Sequence, residues 1–219
     1  MQPLDRNAAL IVVDMQKGFD DSSWGARNNP TAESRVAVLL EYWREALAPV
    51  IHVHHCSSSP VGCFRPGTPG SEPKIQAVPR DGEVVYRKWV NSAFIGTTLE
   101  ADLRQRGILS LVVVGLTTNH CVSTTVRMAG NLGFRTYVVS NATATFDRAG
   151  ADGRPRRAED VHNAALGDLH EEFAEVVDTD TVMLALPHIR AVPAVGAPRA
   201  AVETGFFNSS DKIARRGEP

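Results

Sequence analysis

The sequence predicts a three-layer α/β sandwich built on a mainly parallel sheet. Three observations carry that reading. Short apolar runs alternate with helical stretches along the chain, as βαβ units require. Two runs, AALIVV at 8–13 and LSLVVV at 109–114, are apolar at every or nearly every position, which suits strands covered on both faces. Two helical stretches close on glycine, at Gly107 and Gly133, where a left-handed C-cap belongs.

The elements follow in order. The first strand, 8–13, precedes a helix over 31–48, with Thr31 as its cap, Glu33 in its first turn and Pro49 as its stop. A second strand is expected at 50–53. Residues 57–80 are rich in Ser, Pro and Gly and read as a long loop, which in a compact domain is usually functional or mobile. A third strand spans 83–86, a helix 98–106, a fourth strand 109–114, a helix 121–132 and a fifth strand 136–140. A helix at 158–172, a sixth strand at 175–177 and a short helix at 181–186 complete the pattern. Residues 1–189 are read as one domain. Residues 190–219 carry Pro, Ala, Gly and charge with little periodicity, and are expected to form a tail that packs on a partner subunit through Phe206 and Phe207.

The bulk numbers are those of an ordinary globular chain. It has 219 residues, 43% hydrophobic and 22% charged, enough for one substantial core. A formal charge of −2 gives no electrostatic footprint for nucleic acid, and no apolar stretch reaches the length of a membrane span. The first residues lack the basic start of a signal peptide, and the three cysteines, Cys56, Cys63 and Cys121, are an odd number. A reducing, cytoplasmic setting is expected.

In an open α/β sheet, ligands bind beyond the carboxyl ends of the strands. Asp14 directly follows the first strand, Lys88 lies just past the third, and Cys121 follows the fourth across residues 116–120 and opens a helix. A helix N-terminus and a nearby lysine lower a thiol pKa. A carboxylate can take its proton, and N–H groups of the first helical turn can hold an oxyanion. Position alone is equally compatible with Cys121 as a small core residue, and taken singly it favours Asp14 as a turn cap and Lys88 as a surface lysine; their joint placement at one sheet edge favours the catalytic reading. His52 and His54 share a strand face, but no third ligand stands at a recognisable offset, so no metal is expected and packing near the pocket is favoured. His120 points away from its neighbour Cys121 and is read as a substrate contact. Phe19, Trp24, Phe94 and Phe146, in loops or at element ends, are candidates for the pocket wall, with ordinary rim packing as the plain alternative.

Three runs then become recognisable: IVVDMQKGF, KWVNSAFIGTTLEADLRQRGI and VVVGLTTNHCVSTTVRMAGNLGFRTYVVSNATATFD. Together they resemble the isochorismatase-like cysteine hydrolases from about residue 8 to 186. The resemblance implies a Rossmann-like fold with a parallel six-stranded sheet. It implies an Asp14–Lys88–Cys121 triad and a cis peptide at Leu116–Thr117 that turns the Thr117 N–H, beside that of Cys121, toward an oxyanion. It also implies a homo-oligomer. The stretch HVHHCSSSP departs from the metal motif of the nicotinamidase branch, which disfavours nicotinamide and zinc. What remains is the amidase and carbamoyl-hydrolase group, with a small amide, carbamoyl or urea-type substrate, no cofactor, and Asn91, Phe94 and the 57–80 loop as specificity contacts. An isochorismatase-type vinyl-ether hydrolase and a non-catalytic binding module of the same fold are the alternatives.

Overall fold

A computed structural model describes residues 3–187; the expected tail lies outside the described residues. The chain runs β1 (Ala9–Val13), α1 (Ala32–Glu45), β2 (Val50–His55), β3 (Val84–Lys88), α2 (Leu99–Gln105), β4 (Ser110–Leu116), α3 (Ser123–Asn131) and β5 (Arg135–Ala144). It continues through β6 (Arg148–Ala149), β7 (Pro155–Arg156), α4 (Ala158–Leu169), β8 (Glu175–Val177) and α5 (Thr179–Ala185). Six strands form one sheet in the order β3-β2-β1-β4-β5-β8, every pairing parallel. β6 and β7 form a separate small antiparallel hairpin that the sequence did not announce.

Alternation along the buried strands splits the core in two. Leu10, Val12, Val112 and Val114 point to one layer with Val36, Leu39, Leu40 and Trp43 of α1. Ala9, Ile11, Val13, Leu111 and Val113 point to the other with Leu99 and Leu103 of α2, Val126 of α3 and Leu166 of α4. Successive side chains of a strand face opposite ways, so a sheet covered on both sides needs apolar residues throughout. Trp43 is fully buried and its indole N–H donates to the Ala8 carbonyl at 2.9 Å, fixing α1 against β1.

Several boundaries differ from expectation. Thr31 precedes α1 but makes no side-chain cap; instead its carbonyl accepts from the Ser34 hydroxyl at 2.7 Å. The second and third strands run on to His55 and Lys88. β5 runs to Ala144 because a bulge against β4 takes up extra residues between Val138 and Thr143. The Asn29 amide donates to the carbonyls of Ser140 and Thr143 inside that bulge, at 2.9 and 2.7 Å. The 57–80 loop is pinned: the N–H groups of Lys17 and Lys74 donate to Glu72 and Met15, at 2.9 and 2.8 Å, and Lys74 pairs with Glu33 at 3.2 Å.

No described helix is long and apolar enough to cross a membrane.

Candidate active site

The C-terminal ends of β1, β2, β3 and β4 meet at one edge of the sheet. Asp14 follows β1 directly, and its backbone takes a left-handed conformation, φ 51°, uncommon for a residue with a side chain. Its N–H donates to the Val53 carbonyl at 2.8 Å, which holds the turn against β2. Lys88 ends β3 in register with His55 of β2. Gly115 makes the close approach of β4 to β1 possible: with φ +121°, a Cβ there would stand 1.9 Å from the Val13 carbonyl oxygen. After β4 the chain passes through a cis peptide between Leu116 and Thr117 and then a π-helical turn, Thr118–Val122, that leads into α3. Cys121 sits in this turn rather than at the start of a regular α-helix.

Asp14 and Lys88 are fully buried, and Lys88 Nζ donates to Asp14 Oδ2 at 2.7 Å. Ligand atoms of Asp14, His55 and Cys121 all lie within 4.8 Å of one another. Lys88 Nζ also lies 3.3 Å from His55 Nδ1. The other oxygen of Asp14, Oδ1, is buried with no hydrogen-bond partner among the described residues. Cys121 keeps 8% of its surface open.

The electrostatics depart from the sequence reading. Burial pushes the Cys121 thiol up to about 12, and the Asp14 charge adds to the rise; Lys88 opposes both without prevailing. The expected lowering by the helix end is overridden because the sulfur is nearly enclosed beside an anion. Burial also raises the Asp14 carboxyl, against the pull of Lys88. Two groups that both favour their protonated forms thus stand together with a fixed cation. Moving a proton from sulfur to carboxylate leaves the net charge of the cluster unchanged.

The remaining candidates divide. Phe19, Trp24 and Phe146 form one aromatic cluster with Phe64; Phe19 lies 5.1 Å from Trp24, 4.7 Å from Phe64 and 6.0 Å from Phe146 between ring centroids. Phe64 turns its edge on His55 at 5.7 Å, so the cluster adjoins the site. Phe94 does not join it: its ring stacks on Phe134 at 5.9 Å, packed with the core layer under α2 and α3. Asn91 is exposed in the turn after β3. His120 is exposed, and its Nε2 lies 2.9 Å from Arg148 Nη1, which ties it to the β6 hairpin. His52 turns away from the site and bonds Glu83 at 2.9 Å. Neither His52 nor His54 belongs to the single described group able to hold an ion, Asp14 with His55 and Cys121; there the Lys88 ammonium already supplies positive charge.

His55, Phe64 and Gln16 were missed by sequence reasoning. Gln16 clasps the site from behind, accepting the His55 N–H at 2.8 Å and donating to the carbonyls of His55 and Ser71, each at 3.0 Å. Alternation along β2, carried two residues past Val53, was the signal that could have found His55.

Residues 8–181 match the Isochorismatase domain model. The chain belongs to the isochorismatase-like cysteine hydrolase family. Within it, the chain is 46% identical over 180 residues to the Bacillus subtilis family protein YrdC, covering 82% of this chain and 96% of that protein. It is 31% identical over 197 residues to Nicotinamidase 3 of Arabidopsis thaliana, covering 84% and 91% of the two chains. It is 34% identical over 195 residues to a streptothricin hydrolase of Streptomyces noursei, covering 89% and 73%. Among solved structures, an isochorismatase-family structure from Chromobacterium violaceum superposes with a TM-score of 0.82 at 44% identity, covering 85% of this chain and 98% of that one. A cysteine hydrolase from Pseudomonas syringae superposes with a TM-score of 0.78 at 25% identity, covering 85% and 95%.

Proposed function

We propose that this family hydrolase cleaves a C–N bond of a small amide, carbamoyl or urea-type substrate through a thioester on Cys121. The observation that carries the reading is a thiol within 4.8 Å of a carboxylate that holds an ammonium at 2.7 Å and whose second oxygen has no hydrogen-bond partner among the described residues. The relative named as a nicotinamidase is by that name an amidase, which favours the C–N class.

The steps follow from the charges. Asp14 takes the Cys121 proton, and Lys88 holds the resulting thiolate. Sulfur attacks the carbonyl carbon, an S–C bond forms, and the carbonyl electron pair moves to oxygen. The family resemblance assigns the N–H groups of Thr117 and Cys121 as the donors that receive that oxyanion. As the C–N bond breaks, protonated Asp14 gives its proton to the leaving nitrogen and ammonia or an amine departs. Asp14 then takes a proton from water, the hydroxide attacks the thioester, the C–S bond breaks, and the proton returns to sulfur. The cycle closes with no cofactor. The aromatic cluster of Phe19, Trp24, Phe64 and Phe146 is the apolar wall against which a small substrate rests.

The test is an ammonia-release screen over small amides, carbamoyl compounds and ureas, beside a Cys121→Ala control. Turnover of at least one class, lost in the control with its melting temperature intact, is expected. A control as active as the parent would overturn the mechanism.

A further inference from the structure

An ammonium has three N–H donors and no acceptor. At this site Lys88 Nζ donates to Asp14 Oδ2 at 2.7 Å and lies 3.3 Å from His55 Nδ1, and the Cys121 sulfur stands within 4.8 Å of the ligand atoms of both. Asp14 and Cys121 belong to the proposed reaction; His55 has no role in it. Yet His55 is firmly held. Its N–H and carbonyl are both clasped by the Gln16 amide, its ring is backed edge-on by Phe64, and its strand position is in register with Lys88.

We propose that His55 is a positioning residue, the third acceptor of a tripod that aims the Lys88 ammonium at the Cys121 sulfur. The proposal rests on the reading of this pocket as a thiol hydrolase. With two acceptors an ammonium of this reach can pivot about its side chain; with three its direction is fixed. The tripod needs a neutral imidazole with Nδ1 as acceptor and the proton on Nε2. The surroundings supply that form: burial lowers the His55 pKa, Lys88 lowers it further, and only Asp14 opposes. The charged and titratable groups facing His55 are Lys88 from β3, Asp14 from the end of β1 and Cys121 from the π-helical turn. A doubly protonated imidazole would present a donor to a donor, so the tripod opens in acid.

Two substitutions separate the acceptor from the bulk of the side chain. His55→Asn keeps an oxygen acceptor near the place of Nδ1, whereas His55→Leu keeps volume and removes every acceptor. The readout is the rate of iodoacetamide labelling at Cys121, located by peptide mass and followed from about pH 6 to 10, with melting temperature recorded for each variant. His55→Leu is expected to slow labelling about tenfold and shift its pH profile upward by about one unit, while His55→Asn stays within about threefold of the parent. Equal slowing in both variants would assign His55 to packing and overturn the proposal. Unchanged labelling in both would show that Lys88 needs no third acceptor and overturn it as well. Because labelling needs no substrate, this outcome is separate from the ammonia-release screen. A Cys121→Ala protein that still turns over would sink the hydrolase reading without moving the labelling rates.

Discussion

Strand β2 borders two carboxylate clusters, one on each face of the sheet. His52 and His55 are three residues apart and therefore point to opposite sides. On the His52 side, Glu83 is saturated. Arg44 grips both its oxygens at 2.7 and 2.9 Å, His52 lies 2.9 Å from Oε2, and the Arg80 N–H donates to Oε2 at 2.8 Å. On the His55 side, Asp14 has Lys88 on one oxygen and no hydrogen-bond partner on the other. Burial pushes both carboxyls up, but the partners of Glu83 win and hold it at about 2, whereas those of Asp14 lose and it stays raised. A carboxylate with both oxygens engaged is a clamp. One left half satisfied in a buried site keeps a raised affinity for a proton. The same strand, with the same pairing of acid and cation, borders a satisfied carboxylate on one face and, on the other, the half-satisfied one to which the proposed chemistry is assigned.

The largest effect should come from exchanging charge for shape on each side. Asp14→Asn keeps the contact to Lys88 and removes the base, so kcat should fall by roughly a thousandfold. Glu83→Gln, the same change on the other face, should leave kcat within about twofold. Steady-state ammonia release on both variants checks this; a comparable loss in Glu83→Gln would erase the contrast.

Stability should respond the opposite way. Glu83 has a folded pKa of about 2 against an ordinary 4.5. The sign follows from the depression: its contribution is full above the unfolded value and is lost as pH falls through the folded one. The separation is worth about 3 kcal/mol at pH 7. Urea unfolding of Glu83→Gln should show a loss of that order at pH 7 and a flatter dependence between pH 4.5 and 2. Parallel curves for the two proteins would mean that Arg44 and His52 contribute little through this carboxylate.

Much of this contrast was legible in the sequence, and its missing part has a definite cause. Apolar runs marked β1 and β4 because a strand buried on both faces cannot carry polar residues. The positions of Asp14 and Cys121 followed from where those strands end, and that of Lys88 from the end of the third strand. β2 and β3 extend further than their apolar residues, because His54, His55, Arg87 and Lys88 are polar yet paired in the ladder. Hydrophobicity stops at Val53; backbone pairing does not. That is why His55 went unremarked while His52 drew attention. The place of Phe94 was not legible for a related reason: a ring at an element end has two faces of the fold available to it, and Phe94 takes the side of Phe134, against the core layer that also holds Cys121. The thiol pKa was misjudged because helix ends and lysines can be read from sequence, whereas desolvation cannot.

The raised thiol pKa has a kinetic consequence. With the Cys121 thiol at about 12, its alkylation rate should climb about tenfold per pH unit from neutrality through about pH 10, with no plateau where a free thiol levels off, near 9. A plateau below pH 8 would mean that Lys88 and the helix end outweigh burial, and the two faces of the sheet would then differ less than their carboxylates suggest.

The smallest effect isolates burial from pairing. On α2, Glu100 and Arg104 form an i,i+4 ion pair at 2.9 Å, as short as the bonds that hold Glu83, but with 41% and 48% of their side chains exposed. Water screens such a pair, and ordering two long side chains offsets most of the attraction. Glu100→Gln should therefore cost no more than about 0.5 kcal/mol in the same urea experiment, with no change in acid dependence beyond experimental scatter. A loss approaching that of Glu83→Gln would show that distance alone sets the strength of these pairs. The expected gap between the two variants instead assigns the strength of the Glu83 clamp to the exclusion of water, the same condition that leaves Asp14 basic on the other face.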